Sequence, residues 1–124
     1  MDTAMNQALA GHIKEMVRMV NGGDVMSLYE RYYAPDVVMK SPDEPYLRGR
    51  QDCLDEHRSF FAALRHFDAQ VLNVTYSEPV SMLEVRYRLE TLEGMRISLR
   101  GVAVHEWRDG LIVHERFYKD TVDE

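Results

Sequence analysis

The chain has 124 residues, which suits one domain and no more. A net charge of −6, with fifteen Lys and Arg scattered rather than gathered in a stripe, leaves nothing to draw in a nucleic acid or an acidic membrane. The lone cysteine, Cys53, excludes a disulfide framework within the chain, and no apolar run approaches the ~20 residues of a membrane span.

The first element reads as a helix. Met5, Leu9, Ile13, Met16, Val17 and Val20 recur at spacings of three and four and so share one face. Thr3 is placed to cap its start and Gly22-Gly23 to end it. Asp24 is expected to cap a second, short helix with a stripe of Val25, Leu28, Tyr29 and Tyr32, which Pro35 terminates. Val37, Val38 and Met39 make a short strand, followed by a polar loop, Ser41-Pro42-Asp43-Glu44-Pro45. A third helix is expected from about Arg50 to Leu64, with Cys53, Leu54, His57, Phe60, Phe61 and Leu64 on its apolar stripe.

Beyond it the period changes from 3.6 to two. Leu72, Val74 and Tyr76 alternate with polar residues. Leu83, Val85, Tyr87 and Leu89 alternate strictly with Glu84, Arg86, Arg88 and Glu90, the pattern of a half-buried antiparallel strand. Glu93-Gly94 turns the chain, Arg96 to Trp107 is a long strand, and Arg108-Asp109-Gly110 is a hairpin turn into a last strand from Leu111 to Asp120. Three helices segregated on one face of consecutive antiparallel strands give an α+β fold with a cavity in the sheet's concavity. The start, Met1-Asp2-Thr3-Ala4, lacks the basic and apolar pattern of a signal peptide, so a cytoplasmic location is expected.

Several of these segments together carry a resemblance. Val20-Asn21-Gly22-Gly23-Asp24 precedes Tyr33-Ala34-Pro35-Asp36-Val37-Val38. Gly49-Arg50 opens the third helix. Trp107-Arg108-Asp109-Gly110-Leu111-Ile112 makes the final hairpin and Tyr118-Lys119-Asp120 closes it. Over nearly its whole length the chain, read as one domain of residues 1–124, resembles the nuclear transport factor two-like superfamily in its SnoaL-like and ketosteroid-isomerase-like branch. The resemblance implies a single cone-shaped domain, with three N-terminal helices in the concave face of a curved, mostly antiparallel sheet. It does not imply one activity, since this fold carries isomerases, cyclases, dehydratases, epoxide hydrolases and non-catalytic modules.

The catalytic groups of these relatives are replaced at the matching positions. The isomerases' first-helix tyrosine falls on Met16, their general-base aspartate on Ser41 and their oxyanion-hole aspartate on Ala103. The catalytic aspartate of cyclase-like and limonene-epoxide-hydrolase-like members falls on Phe117. His57 matches a supporting tyrosine that reaches the isomerase cavity.

Other polar groups share the inward phase. With a three-residue loop at Arg108-Asp109-Gly110, Trp107 pairs with Leu111, and His105, Ala103 and Glu115 fall on the concave side. With a two-residue turn at Asp109-Gly110 the register moves by one, Glu115 faces out, and His114 faces in opposite His105. On the first register His57, His105 and Glu115 are the candidate catalytic groups, with Met16, Tyr46, Phe61, Tyr87, Trp107 and Phe117 as ligand-binding candidates. An inward Glu115 is expected to have a raised pKa unless a histidine offsets its burial. No metal-ligand spacing, phosphate loop or nucleophile elbow is present, so no metal or cofactor is expected.

Two readings follow. The chain is a small-molecule-binding protein with an apolar pocket, and as an enzyme it is a cofactor-free isomerase, cyclase or dehydratase acting on a small hydrophobic carbonyl compound. The alternative is a non-catalytic ligand-binding or dimerisation module. Val102 and Val104 on the outer phase of the long strand, with Ile112, point to a homodimer through the outer sheet face.

Overall fold

The computed structural model describes residues 3–121, with side chains from 7 to 120. The Thr3 cap, the Met5 anchor and the acidic C-terminal tail lie outside the described side chains and residues. Helix α1 (Thr3–Asn21) is followed by α2 (Val25–Tyr32), β1 (Tyr33–Lys40), the two-residue β2 (Leu47–Arg48) and α3 (Arg50–Ala62). Four long strands complete the chain: β3 (Leu64–Ser77), β4 (Val80–Thr91), β5 (Arg96–Arg108) and β6 (Leu111–Thr121). They form one six-stranded sheet in the order β2-β1-β6-β5-β4-β3, antiparallel except for the β1–β6 pair. The result is the α+β cone: helices fill the concavity of a curved sheet. No helix among the described residues is long and apolar enough to cross a membrane.

The helix stripes explain the packing. Leu9, Ile13, Met16 and Val20 of α1, Leu28 of α2, and Cys53 and Leu54 of α3 are buried against Val37, Leu83, Val85 and Ile112 of the sheet. Each such aliphatic side chain contributes about 1.5–3 kcal/mol on leaving water. Gly23, at φ 77°, ends α1 in the left-handed region that a side chain resists. Asp24 does take the N-cap position of α2, but its carboxylate makes no cap hydrogen bond.

Four expectations change. The strand after α2 is longer than expected. It begins at Tyr33, directly at the helix C-cap, and runs through Pro35, which sits exposed where the β1–β6 pairing is interrupted. Helix α3 stops at Ala62, so Leu64 opens β3, and Phe60 is 44 % exposed. Leu72 sits at a bulge in β3, and Val74 and Tyr76 beyond it are exposed. Ile112 is fully buried opposite Trp107 and belongs to the core, not to the outer face.

The last hairpin combines both registers. Asp109 and Gly110 form a two-residue turn with φ of 54° and 78°, and Arg108 pairs with Leu111. Trp107 then pairs with Ile112, but Glu106 pairs with His114, so Val113 is an extra residue in β6. That bulge restores the phase. Glu115 faces inward opposite His105, whereas the three-residue loop would have set Glu115 opposite Ala103 and Val113 opposite His105; Ala103 lies opposite Phe117.

Candidate active site

The concave face and the three helices enclose one cavity of ≈ 210 Å³. Its wall is apolar: Met16 and Val20 from α1, Leu28 from α2, Phe61 from α3, Leu83 and Val85 from β4, and Phe117 from β6. The exposed lining residues Glu44, Pro45, Glu56, Phe60 and Lys119 mark its mouth. The polar groups on its lining include Glu115, His105, His57, Tyr29 and Tyr87. Seven of the nine candidates singled out from the sequence line this cavity: His57, His105, Glu115, Met16, Phe61, Tyr87 and Phe117.

Two candidates do not join them. Tyr46 is 52 % exposed, with its ring under the Lys40 ammonium and the Arg48 guanidinium. Trp107 is packed at the closed end of the cone, stacked on His12 and edge-on to Tyr32, and its indole N–H donates to Ser81 Oγ at 2.9 Å.

Glu115 is the centre of a buried hydrogen-bond chain. Strand β6 carries it inward, and β1, running parallel beside it, brings Tyr33 to the same place. The Tyr33 hydroxyl donates to Glu115 Oε1 at 3.0 Å, and His105 Nε2 lies 3.2 Å from the same oxygen. Both Glu115 and His105 are 3 % exposed, and Tyr33 is fully buried. His57 Nε2 lies 3.1 Å from the Tyr33 hydroxyl. The phenol has one proton and gives it to the carboxylate, since its 4.0 Å contact with Met39 Sδ is too long to compete. His57 must therefore donate Nε2–H to the phenol oxygen, which fixes its neutral tautomer with the lone pair on Nδ1.

The same logic orients the carboxylate. Oε1 takes both protein hydrogen bonds, and a carboxylate can only accept, so His105 donates from Nε2. Oε2 has no protein partner among the described residues, and Glu115 lines the cavity. His105 Nδ1, by contrast, is buried without a partner.

Electrostatics decides the protonation states. Burial pushes the Glu115 carboxyl up, but the hydrogen bond and charge of His105, the charge of His57 and the Tyr33 hydroxyl outweigh it. Its pKa ends below the ordinary value, so the carboxylate is ionised at neutral pH, the outcome expected when a histidine offsets burial. Burial lowers the His57 pKa more than the Glu115 charge raises it, so this imidazole is neutral. Burial and the Glu115 charge push Tyr33 and Tyr87 well up.

Sequence reasoning missed Tyr33 and Tyr29. Tyr29 stacks between Tyr33 and His57, with ring centroids 5.1 and 4.1 Å away. A signal was present. Tyr29, Tyr32 and Tyr33 put three hydroxyls into five residues of a buried stripe, and buried hydroxyls need partners. Among the described residues, no group of three His, Cys, Asp or Glu could hold a metal ion.

Solved structures share this architecture at low sequence identity. An NTF2-like protein of unknown function from Burkholderia pseudomallei K96243 is 16% identical, with a TM-score of 0.78, covering 91% of this chain and 91% of its own. An LEH-like epoxide hydrolase of M. tuberculosis is 16% identical, with a TM-score of 0.73, over 92% of this chain and 84% of its own. A hypothetical protein with a ketosteroid isomerase-like fold from Catenulispora acidiphila DSM 44928, in complex with trimethylamine, is 11% identical, with a TM-score of 0.71, over 86% and 83%. None of the curated proteins matches the chain in sequence. At these identities the neighbours establish the cone fold, and the family is fixed by the sequence itself: residues 13–115 match the SnoaL-like domain, and the chain belongs to that family.

Proposed function

We propose that this protein binds a small hydrophobic carbonyl compound in the cone cavity and transfers a proton at it without a cofactor, as an isomerase, cyclase or dehydratase does. The observation that carries this reading is Glu115. A core carboxylate costs several kcal/mol to bury unless the fold compensates it, and here a phenol and an imidazole hold one oxygen while the other is left for the cavity. An ionised base with one free oxygen in an apolar site is what proton abstraction from carbon requires. His57, neutral and with its Nδ1 lone pair uncommitted, is a second proton acceptor on the same wall. The alternative, a non-catalytic binding module, is favoured by Phe117 and Ala103, which stand where relatives of this family carry catalytic aspartates.

The two readings separate in Glu115→Gln. Glutamine keeps the shape and removes the base. Under the catalytic reading turnover falls by about a hundredfold or more while ligand affinity changes little. Unchanged turnover, or affinity loss with no turnover in the unaltered protein, sinks it. We also propose that the protein is a homodimer through its outer sheet face, where Met82 and Tyr118 are exposed beside Val102 and Val104.

A further inference from the structure

Three carboxylates line the cavity, Glu44, Glu56 and Glu115, against one ammonium, Lys119. His57 is neutral, so the lining stays negative whether or not His105 carries a second proton. Glu44, Glu56 and Lys119 are exposed at the mouth, where water and salt screen them. Glu115 is 3 % exposed, so its charge is screened far less. The phenols of the wall respond to that charge: burial first, and Glu115 with it, pushes both Tyr29 and Tyr87 up. Both protein hydrogen bonds to the carboxylate fall on Oε1, which leaves Oε2 as its one acceptor without a partner among the described residues.

A band of aromatic rings leads from the mouth toward this carboxylate. Between centroids, Phe60 lies 5.3 Å from Phe61, Phe61 4.9 Å from Phe67, Phe67 5.9 Å from Tyr87, and Tyr87 6.0 Å from Phe117. All five rings line the cavity, although they come from α3, β3, β4 and β6. Phe117 stands two residues from Glu115 on the same inward phase of β6. Aliphatic side chains hold a plain hydrocarbon as well as rings do. Aromatic faces add an attraction for a cation, and a buried carboxylate at the end of the band adds to it.

We propose that the cavity also takes an N-alkylated ammonium ion, its N–H donating to Glu115 Oε2 and its alkyl groups lying on the aromatic band. The chemistry of the wall selects this class. A metal ion gives up its water shell only to several ligands, and among the described residues no group of three His, Cys, Asp or Glu is there to replace it. A primary ammonium brings three N–H donors to one free carboxylate oxygen, whereas an N-alkylated one brings fewer and presents carbon to the rings. An anion is repelled by Glu115. This ligand class goes beyond the carbonyl reading and does not depend on it, because Glu115 acts here as a fixed charge and no proton is transferred.

Two probes of one shape test the cation site. N,N-dimethylcyclohexylamine, protonated at neutral pH, and cyclohexyl methyl ketone share a skeleton and differ in the head group. Calorimetric titration of the unaltered protein is expected to show the ammonium binding roughly tenfold tighter than the ketone. Glu115→Gln is expected to lower ammonium affinity by about tenfold or more and to change ketone affinity little. Phe67→Leu keeps an apolar wall and removes one ring, and is expected to lower ammonium affinity about threefold with ketone affinity nearly unchanged. The comparison in the unaltered protein needs no variant, so it decides even where Glu115→Gln folds poorly. A ketone bound as tightly as the ammonium, an ammonium preference that survives Glu115→Gln, or equal losses of both ligands in Phe67→Leu overturns the cation site. Deuterium exchange at the ketone's α-carbon, followed by NMR in D2O, reads proton transfer apart from it. No exchange, with the ammonium preference intact, refutes proton transfer and supports the cation site. Exchange with no ammonium preference does the reverse.

Discussion

At the scale of single residues, the site depends on one oxygen atom. Glu115 Oε1 accepts one hydrogen bond from the Tyr33 hydroxyl and another from His105 Nε2, and His57 is linked to it through the phenol. This chain makes folding stability sensitive to acid in two steps. His57 has a folded pKa below its ordinary 6.5, so the unfolded chain protonates first, and stability present above that value is lost as pH falls through the folded pKa. Glu115 has a folded pKa below its ordinary 4.5, so its contribution persists at neutral pH and disappears on further acidification. The tyrosines give the opposite limb. Burial raises Tyr29, Tyr33 and Tyr87 above 10.0, so stability falls as pH rises past that value, where the unfolded chain ionises first. Denaturant unfolding across pH is expected to show a decline beginning near pH 6.5 that His57→Gln removes. A decline that persists unchanged in His57→Gln shows that another group sets it.

At the scale of elements, the sequence pattern was most informative where a side chain alternates and least where the backbone gains a residue. The strict alternation of Leu83, Val85, Tyr87 and Leu89 placed Tyr87 correctly, because period two leaves one choice of face. The last hairpin offered two registers, and the chain uses the turn of one and the facing of the other. An extra residue at Val113 leaves no mark in hydrophobic alternation, since Leu111, Ile112 and Val113 are all apolar. Tyr33 was illegible for a related reason: the helix-to-strand junction falls between two adjacent tyrosines, and nothing local says which belongs to which element. The β5–β6 pair also holds the cavity wall in place through Gly101. A Cβ there would lie 2.4 Å from the Phe117 ring tip, and that ring lines the cavity. Gly101→Ala must therefore displace the Phe117 ring, with the ligand space as the expected direction, at a stability cost of about 1–3 kcal/mol. The expected outcome is a clear loss of affinity for a small hydrophobic ketone in a protein that still melts cooperatively. Unaltered affinity shows that the ring yields in another direction.

At the scale of the whole molecule, the two faces of the sheet serve different ends. The concave face carries the cavity, and its apolar residues are covered by the helices. The convex face is mostly charged along β4, where Glu84, Arg86, Arg88 and Glu90 alternate outward. Its β5–β6 half differs. Val104 lies opposite Met82 on one side and Arg116 on the other, and Val102 lies opposite Glu84 and Tyr118. Met82 is 40% exposed and Tyr118 is 48% exposed, while Val104 is itself buried at 6%, so the exposed apolar groups of this half are Met82 and Tyr118, flanking the partly covered Val102. The patch lies near the sheet's middle, where the proposed twofold contact would pair like strands with like. Val102→Glu sets a carboxylate beside Glu84 at the centre of that contact without touching the cavity wall. Sedimentation at micromolar concentration is expected to give a dimer for the unaltered chain and a monomer for Val102→Glu, with affinity for a small hydrophobic ketone retained in both. An unaltered chain that sediments as a monomer, or a Val102→Glu variant that remains dimeric, places the partner contact elsewhere on the molecule.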